Sequence, residues 1–595
     1  RCVAHGACGR FPRYDDRSND SFSTRIKHVA EKAASMKGWP TRTQVLIIGA
    51  GPTGLTLGIT LRQRGIDCLI VDKLPAPLPW SRALGLHART QEILDALGVQ
   101  AAISERSLAQ RAVSVYGDRG PLFSLDLTVL DAPYPQVLSC PQAEVEACLA
   151  NRFAELGGVL VRDCTLQDFT QDDDGVVAQL HWAAGDQYLR ADVMVGCDGA
   201  SSRVRDVLGI SFDGVRYPDH FLLADLDIEW DLPRDSSHGF LLGEGALIAI
   251  PLPQGWRLII NQSDDEDLAT QLDIEPFRER LNHCLDTPPE LGPPRWLSRF
   301  SIHRRLAGRY RRNRVLLAGD ACHIQSPLGA QGMNTGIGDA FNLGWKLAAY
   351  LQGHGDGRLL DSYEQERRPV ARQMLTAVDL LSKGSFTRAA PLRRVRDGLL
   401  RLAGNRPQLG ARLVRRASQL DVNYRHSPIV ARSSGDLPGR REKGPLPGDR
   451  VPDVALRAAC TDDAGATSGR LHDGLRSGDF QLLIQLPETL DTDHAAVLSI
   501  YALLTRLPDE FGGLLGVQLI APGDWPNVLK DLLTQPGSGS AMQLWCHAGE
   551  AFAERFGNEG RLWLMRPDGH LAFRGLLKDA DELVGYLADL LARRD

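Results

Sequence analysis

At 595 residues, 43% hydrophobic and 24% charged, the chain is long enough for several domains and has the balance of a globular protein with a sizeable buried core. Its net charge of -6 argues against a nucleic-acid partner. Eleven cysteines without a C-x-x-C pair suggest neither a disulfide framework nor a metal site and suit a reducing, cytoplasmic compartment, and no apolar run reaches the roughly 18 residues of a membrane span, so no membrane partner is expected.

Residues 1–42 read as an N-terminal extension, disordered or non-native, because the stretch is polar and irregular and starts at Arg1. Asp15, Asp16 and Asp20 speak against a transit peptide. The clear pattern begins at about 43. "QVLII" is a short apolar run of the kind buried in a parallel sheet, "LTLGITLRQRG" has helical spacing and stops at Gly65, and "CLIVD" is a second buried strand. Between the first strand and the helix lies Gly49-Ala50-Gly51-Pro52-Thr53-Gly54. The first glycine of such a turn permits the sharp bend, the second lets backbone approach a pyrophosphate, and the third lets helix pack on strand. The N–H groups at the helix start favour phosphate. Asp72, with Lys73 beside it, ends the second strand where an acid holds ribose hydroxyls. This motif alone does not separate FAD from NAD, and its bland alternative is a structural glycine turn.

From about 100 to 190 short strands and helices alternate, with "CPQAEVEACLANRFAELGG" as an amphipathic helix and "ADVMVGCDGASSRVR" as a buried strand running into a turn. Residues 211–305 switch to segments such as "GALIAIPLPQGWRLIINQ", which read as antiparallel strands of a separate layer. Residues 314–348 return to strand, loop and long helix, and 384–445 read as basic helices followed by a linker. After 446, "FQLLIQL", "LGVQLIAP" and "RLWLMRPDGHLAFRG" are strands, closed by the helix "DADELVGYLADLLARR".

Three separated motifs in this order carry a resemblance. "VGCDGASSRVR" (195–205), "RVLLAGDACHIQSPLGAQGMNTGIGDAFNLGWKLA" (314–348), and the segments "SRALGLHARTQEIL" and "PQAEVEACL" resemble the single-component FAD-dependent aromatic hydroxylases over about 43–375. The remainder resembles the thioredoxin-like tail of the phenol and polyketide hydroxylase branch. The resemblance implies an α/β chain with a Rossmann-like FAD-binding domain, an interleaved antiparallel-sheet substrate domain and a C-terminal thioredoxin-like domain. FAD-binding segments would occupy 43–210 and 306–400, the substrate sheet 211–305, a helix and linker 401–445, and the thioredoxin-like unit 446–595. That unit's Cys460 and Cys546 lack C-x-x-C spacing, so packing or dimer contact is expected there rather than redox work.

The resemblance also implies roles. Asp320 would accept hydrogen bonds from the flavin ribityl chain, with an N-cap or turn residue as the alternative. Gly319, Gly329 and Gly332 would leave room for the isoalloxazine ring, and the N–H groups of Gly332, Met333 and Asn334 would face its pyrimidine oxygen. Pro327 would stand beside the oxygen chemistry, or simply stiffen the loop. Asp198 and Gly199, with Ser202 and Arg205 in the same motif, would serve FAD and the transient nicotinamide contact. Arg89 and Gln142 would approach the pyrophosphate and adenosine, the alternative for Arg89 being a helix-surface arginine. His323 has no partner at ligand spacing and reads as a hydrogen-bonded loop histidine.

The implied activity is hydroxylation of a phenolic aromatic by NAD(P)H and O2 through a flavin hydroperoxide. The alternatives are an FAD-binding structural or regulatory protein without turnover, and another flavoenzyme, an epoxidase or halogenase, on the same scaffold. No Trp-x-Trp-x-Ile segment of the halogenase kind is present. Where simple phenol hydroxylases carry an aspartate the chain has Leu84, which turns the expectation toward polycyclic or polyketide phenols. A homodimer remains an open assembly.

Overall fold

The computed structural model describes residues 40–591 apart from 79–82, 184, 244, 263–271, 328, 386–388, 405, 437–442, 459–467, 488–499, 501, 505, 508–509, 522–541 and 548–549. The N-terminal extension, expected to be disordered or non-native, thus lies outside the described residues for 1–39.

The first sheet is parallel at its centre. Its order is Val159–Val161, Cys68–Val71, Arg42–Ile48, Gly185–Gly196, Val315–Leu317, with Arg311–Arg312 antiparallel at the edge. Val45, Leu46, Ile47 and Ile48 are buried on both faces, which is why the run shows no alternation. Ile48 lies opposite both Val71 and Gly196, and Gly196 opposite Leu317. Four strands therefore end level with one another, and the chain leaves them side by side at Gly49, Asp72, Cys197 and Ala318. In an open parallel sheet, ligands bind outside these carboxyl ends.

Helix Pro52–Arg62 opens with proline at its first position, where the missing N–H costs nothing. It packs closely on helix Gln331–Leu351 because the latter's glycines face threonines: a Cβ on Gly336 would stand 2.5 Å from Thr53 Oγ1, and one on Gly344 2.4 Å from Thr60 Cγ2.

The second sheet runs His323–Ile324, Leu291–Ala307, Phe212–Ile228, Trp256–Gln262, Gly245–Pro251, Ser236–Leu242, Ala112–Gly117, Gly120–Asp126. The expected layer 211–305 is thus widened. The hairpin 112–126, placed by sequence in the FAD segments, joins it through parallel pairing of Ser236–Leu242 with Ala112–Gly117. Parallel partners so distant in sequence have no turn between them to announce the pairing. Helix Glu275–Cys284 covers one face, Phe277 and Leu281 packing on Leu222, Leu247 and Leu258.

The C-terminal unit holds a mixed sheet in the order Ala431–Arg432, Leu571–Leu576, Arg561–Met565, Phe480–Gln485, Leu515–Ala521, Met542–His547, Ala455–Ala458, Ser468–Arg470. The strands Phe480–Gln485, Leu515–Ala521 and Met542–His547 are mutually parallel, and Arg561–Met565 is antiparallel to the first of them. The stretch expected to hold a helix and a linker, 401–445, carries helix Pro407–Ala417 and is packed at several points: Val414, Leu420, Tyr424 and Ile429 are buried, and Ala431–Arg432 pairs into this sheet. Val451, Val454, Leu471 and Leu475 belong to the same hydrophobic cluster as Leu94 and Leu97, so the unit shares a core with the N-terminal part.

Candidate active site

The cleft is built from the loops that leave the four level strands. At Gly49 the backbone has φ +106°, and a Cβ would lie 2.3 Å from the Cys197 carbonyl oxygen, so only glycine lets these two loops touch. The first hydrogen bond of the following helix runs from Leu55 N–H to the Gly51 carbonyl, which leaves the N–H groups of Gly51, Thr53 and Gly54 at an uncapped helix start. Asp72 accepts the Ala50 N–H at 2.6 Å on Oδ2 and the Leu74 N–H at 2.8 Å on Oδ1. It is half-buried, and each oxygen keeps a second lone pair for a ligand hydroxyl.

On the neighbouring loop, Asp198 Oδ2 accepts the Val204 N–H at 3.1 Å, while Oδ1 is buried with no partner. Burial raises the Asp198 carboxyl above its ordinary value, against the hydrogen bonds from Ser202 and the backbone. Ser202 caps the short helix Arg203–Val207, and the Arg205 guanidinium spans to the next loop, donating to the Ala321 and Ala200 carbonyls.

Asp320 is the one exposed residue in the run Val315–Cys322. It opens outward yet is ringed by protein, which pushes its carboxyl up from its ordinary value; His323 opposes the shift and Asp339 adds to it. Gly319 beside it has φ +64° and sits against Thr53 of the glycine-turn helix. Asp339 is the opposite kind of carboxylate. It is fully buried and accepts from His323 Nε2, from Arg367 Nε at 2.7 Å and from the Gly319 N–H at 3.2 Å. Burial would raise it, but Arg367 and His323 outweigh burial and hold it below the usual range. His323 is therefore hydrogen-bonded as expected, but it stands on the short edge strand His323–Ile324 rather than in a loop.

The helix Gln331–Leu351 begins after Ala330 in the left-handed region, with no side-chain cap. Gly332 and Met333 are half-buried at this start. Asn334 is buried: its Oδ1 accepts the His87 N–H at 2.9 Å and its Nδ2 donates to the Gly85 carbonyl at 2.8 Å. The side chain thus straps the segment after Leu84 to the helix start, leaving backbone N–H groups for a ligand. Pro327 is half-buried, and its carbonyl accepts the Ala330 N–H.

The residues present fit FAD. A Cβ on Gly51 or on Gly332 would meet nothing within 4 Å, so both face open space, and the orphaned Asp198 Oδ1 sits between them in the order of loops. The model for the FAD binding domain matches residues 42–378. A 12-dehydrotetracycline 5-monooxygenase/anhydrotetracycline 6-monooxygenase of Streptomyces rimosus is 36% identical over 419 residues, covering 68% of this chain and 82% of the relative. Pentachlorophenol 4-monooxygenase of Sphingobium chlorophenolicum is 30% identical over 567 residues, covering 92% and 97%. The solved OxyS anhydrotetracycline hydroxylase from Streptomyces rimosus matches at a TM-score of 0.72 and 29% identity, over 93% of this chain and 100% of that one.

The chain belongs to the FAD-dependent aromatic hydroxylases. It is a flavoprotein monooxygenase that takes FAD and NAD(P)H.

Within this hydroxylase the predicted residues Gly49, Gly51, Pro52, Thr53, Gly54, Asp72, Asp198, Gly319, Asp320, Gly332, Met333 and Asn334 all lie on the loops that leave the level strands or on the helix starts that follow them. Lys73 is exposed beside Asp72. Gln142 opens helix Gln142–Glu155 and donates to Glu146 at 2.7 Å. Arg89 is placed differently from the expectation. Its guanidinium is buried against Glu92, at 2.9 Å, and donates to the Asp568 carbonyl of the C-terminal unit, so it is neither free for a pyrophosphate nor on the helix surface. The helix bearing Arg89 packs on residues far along the chain, which the local pattern "HARTQEIL" does not reveal.

The sequence reading also missed a buried seam. Glu366 accepts from Lys346 Nζ at 2.6 Å, Asn342 Nδ2 at 2.7 Å, Ser427 Oγ at 2.6 Å and both Arg566 nitrogens at 2.7 and 2.8 Å. Asp568 accepts from Trp345 Nε1 and Asn342 Nδ2. The signal was present in "NLGWKLA" and "ERR": a lysine and a glutamate set in otherwise apolar helix faces need partners when buried.

Proposed function

We propose that this monooxygenase is cytoplasmic and hydroxylates a polycyclic phenolic substrate bound between the cleft and the face of the second sheet opposite helix Glu275–Cys284. The observation that carries the reading is the asymmetry of that sheet. One face is closed by helix Glu275–Cys284, while the other carries a separate apolar cluster of Phe221, Leu223, Ile259, Phe300 and Ile302, buried themselves, with Tyr217, Ile248, Ile250 and Trp296 only partly buried beside them. A broad apolar wall of this kind suits a fused-ring substrate better than a single ring. Leu84 is 4% exposed, so that position offers no carboxylate to ionise a simple phenol. The named activity of the Streptomyces rimosus relative on anhydrotetracycline points the same way.

Bound FAD supplies the electron transfer and oxygen activation. In this reading the N–H groups of Gly51, Thr53 and Gly54 hold its pyrophosphate, Asp72 accepts from the ribose, and Asp320 accepts from the ribityl chain. The N–H groups of Gly332, Met333 and Asn334 favour negative charge on the reduced ring. Asp198 takes one hydrogen bond more from the cofactor or from NAD(P)H. Pro327 keeps the loop beside the reacting edge in place, and the apolar wall excludes water. Gln142 stands near the adenosine side. The C-terminal unit is read as thioredoxin-like, a reading supported by its parallel pair Phe480–Gln485 and Leu515–Ala521, the antiparallel hairpin 561–576 and the closing helix Ala580–Leu590.

The test is a panel of phenol and polycyclic phenols at fixed pH, scored as product formed per NAD(P)H consumed. Polycyclic phenols should couple oxidation to hydroxylation better than phenol. Good coupling with phenol and no binding of the larger rings would contradict the proposal.

A further inference from the structure

We infer that helices Ala390–Gly404 and Pro407–Ala417 form a docking face for an anionic lipid surface. Both helices seat on strand Gly120–Asp126, the edge of the substrate sheet. A Cβ on Gly404 would lie 2.6 Å from Phe123 Cβ, and one on Gly410 would lie 3.6 Å from Leu125. Their inner sides are spoken for: Leu400 packs on the cluster of Leu122 and Leu241, Val414 is 3% exposed, Arg393 pairs with Asp118, and Arg396 reaches the Leu241 carbonyl. Both helices therefore turn their opposite sides away from this strand.

Those opposite sides are leucine-rich and bare. Leu392, Val395, Leu399 and Leu402 follow the three- and four-residue spacing of one helical stripe and are 60, 60, 62 and 54% exposed. Leu409 and Leu413 continue the surface on the second helix at 39 and 48%. A stripe of this size on a water-facing helix marks an interaction surface.

Charge selects the partner. Between 384 and 420 the sequence has nine arginines and one acid, Asp397, in a chain whose net charge is -6. Arg394, Arg406, Arg412, Arg415 and Arg416 are exposed, and among the described residues none makes an ion pair within 4 Å. A second copy docking by the same face would set this arginine field against itself, since a two-fold interface brings a patch onto its own image. An anionic lipid surface meets both needs: leucines enter the acyl boundary, and arginines with long apolar stems reach the headgroups. Among the described residues no helix is long and apolar enough to cross a membrane, and none is required, because this contact lies in the surface plane. The sequence expectation of no membrane partner rested on the absence of a spanning run and did not weigh this arrangement. The benefit to the enzyme, an apolar substrate taken up beside the substrate sheet, rests on the proposed function; the docking itself does not.

The full chain, with its flavin, is sedimented with vesicles of phosphatidylcholine alone or mixed with phosphatidylglycerol, with no substrate present. Protein should co-sediment with the mixed vesicles at low salt, not with phosphatidylcholine, and release as salt rises. Arg412→Ala with Arg416→Ala should weaken binding by about tenfold or more, and Leu399→Glu with Leu402→Glu likewise, with flavin content and thermal midpoint unchanged. Absence of binding to mixed vesicles at low salt would overturn the inference. So would a dimer in light scattering that Leu399→Glu with Leu402→Glu converts to monomer, since the face would then belong to a second copy. The substrate panel is a separate experiment, so either reading can fail alone.

Discussion

The cleft and the seam behind it use polar atoms in opposite ways. In the cleft, N–H groups at two helix starts, the Asp198 Oδ1 and the Asp320 carboxylate are left without partners among the described residues, and Gly51 and Gly332 hold space open. In the seam, Lys346, Glu366 and Arg566 are fully buried, and each is satisfied by others of the group. The two regions lie on the same helix, Gln331–Leu351, whose first turn faces the cleft and whose later turns carry Asn342, Trp345 and Lys346 into the seam. In the cleft the unpaired groups are open to a ligand, while in the seam the three charges complete one another. Asp339 and Arg367 join the two, since Asp339 holds the Gly319 N–H of the cleft and Arg367 binds Tyr424 behind it.

The sharpest way to break this contrast is to remove the seam's central acid. Glu366→Ala would strand Lys346 as a buried charge and leave Arg566 with Asp568 alone, and a loss of roughly 3–5 kcal/mol is expected in denaturant unfolding. A near-neutral result would mean the seam is wet or loosely packed. The same carboxylate sets an acid limit. Burial works to raise Glu366, but Arg566 and Lys346 prevail and take it from the usual 4.5 to about 2. Glu92, with Arg450 and Arg89, is likewise held at about 2 against burial. Groups depressed in this way contribute stability that is full above pH 4.5 and drains as pH falls toward 2. The thermal midpoint should drop across that window in wild type and less steeply in the Glu366→Ala variant.

Two glycines of one motif sharpen the comparison. Gly49→Ala places a Cβ against the Cys197 carbonyl at a strained φ and should cost about 2–4 kcal/mol of stability. Gly51→Ala meets open space, so it should melt like wild type while binding FAD more weakly. If both variants melted alike and bound FAD alike, the division of labour within the motif would be wrong. Asp320→Ala should lower FAD affinity by roughly ten- to hundredfold, the cost of one charge-assisted hydrogen bond of about 1.5–3 kcal/mol, with the apo fold intact.

The cleft was legible in the sequence because it is made of local signals. A buried strand, a glycine turn and a helix start follow one another within a few residues at 45–54, and the loops at 198 and 319 repeat the pattern. The partners of the seam were not legible, since Glu366 meets Arg566 across 200 positions. The hairpin 112–126 was misassigned and Arg89 misplaced for the same reason: their contacts, with Ser236–Leu242 and with Asp568, are long-range. The basic helices were seen as basic, but the bare stripe from Leu392 to Leu413 emerges only once their inner sides are known to be occupied.

The smallest effect is expected in the C-terminal unit. Cys460 and the side chain of Cys546 lie outside the described residues, and their sequence spacing gives no redox pair. Changing both to serine should leave turnover unaltered. Activity that fell, and returned with an external thiol, would give the unit a role in the chemistry.

The central claim, that the cleft left by the four level strands is completed by FAD, is tested most directly by the flavin of the purified full chain. Acid precipitation should release a non-covalent flavin that chromatographs as FAD, near stoichiometric with protein, and the Asp320→Ala protein should have lost most of it at the same thermal midpoint. A chain that carries FMN, or that takes up no flavin on reconstitution while fully folded, would contradict the account.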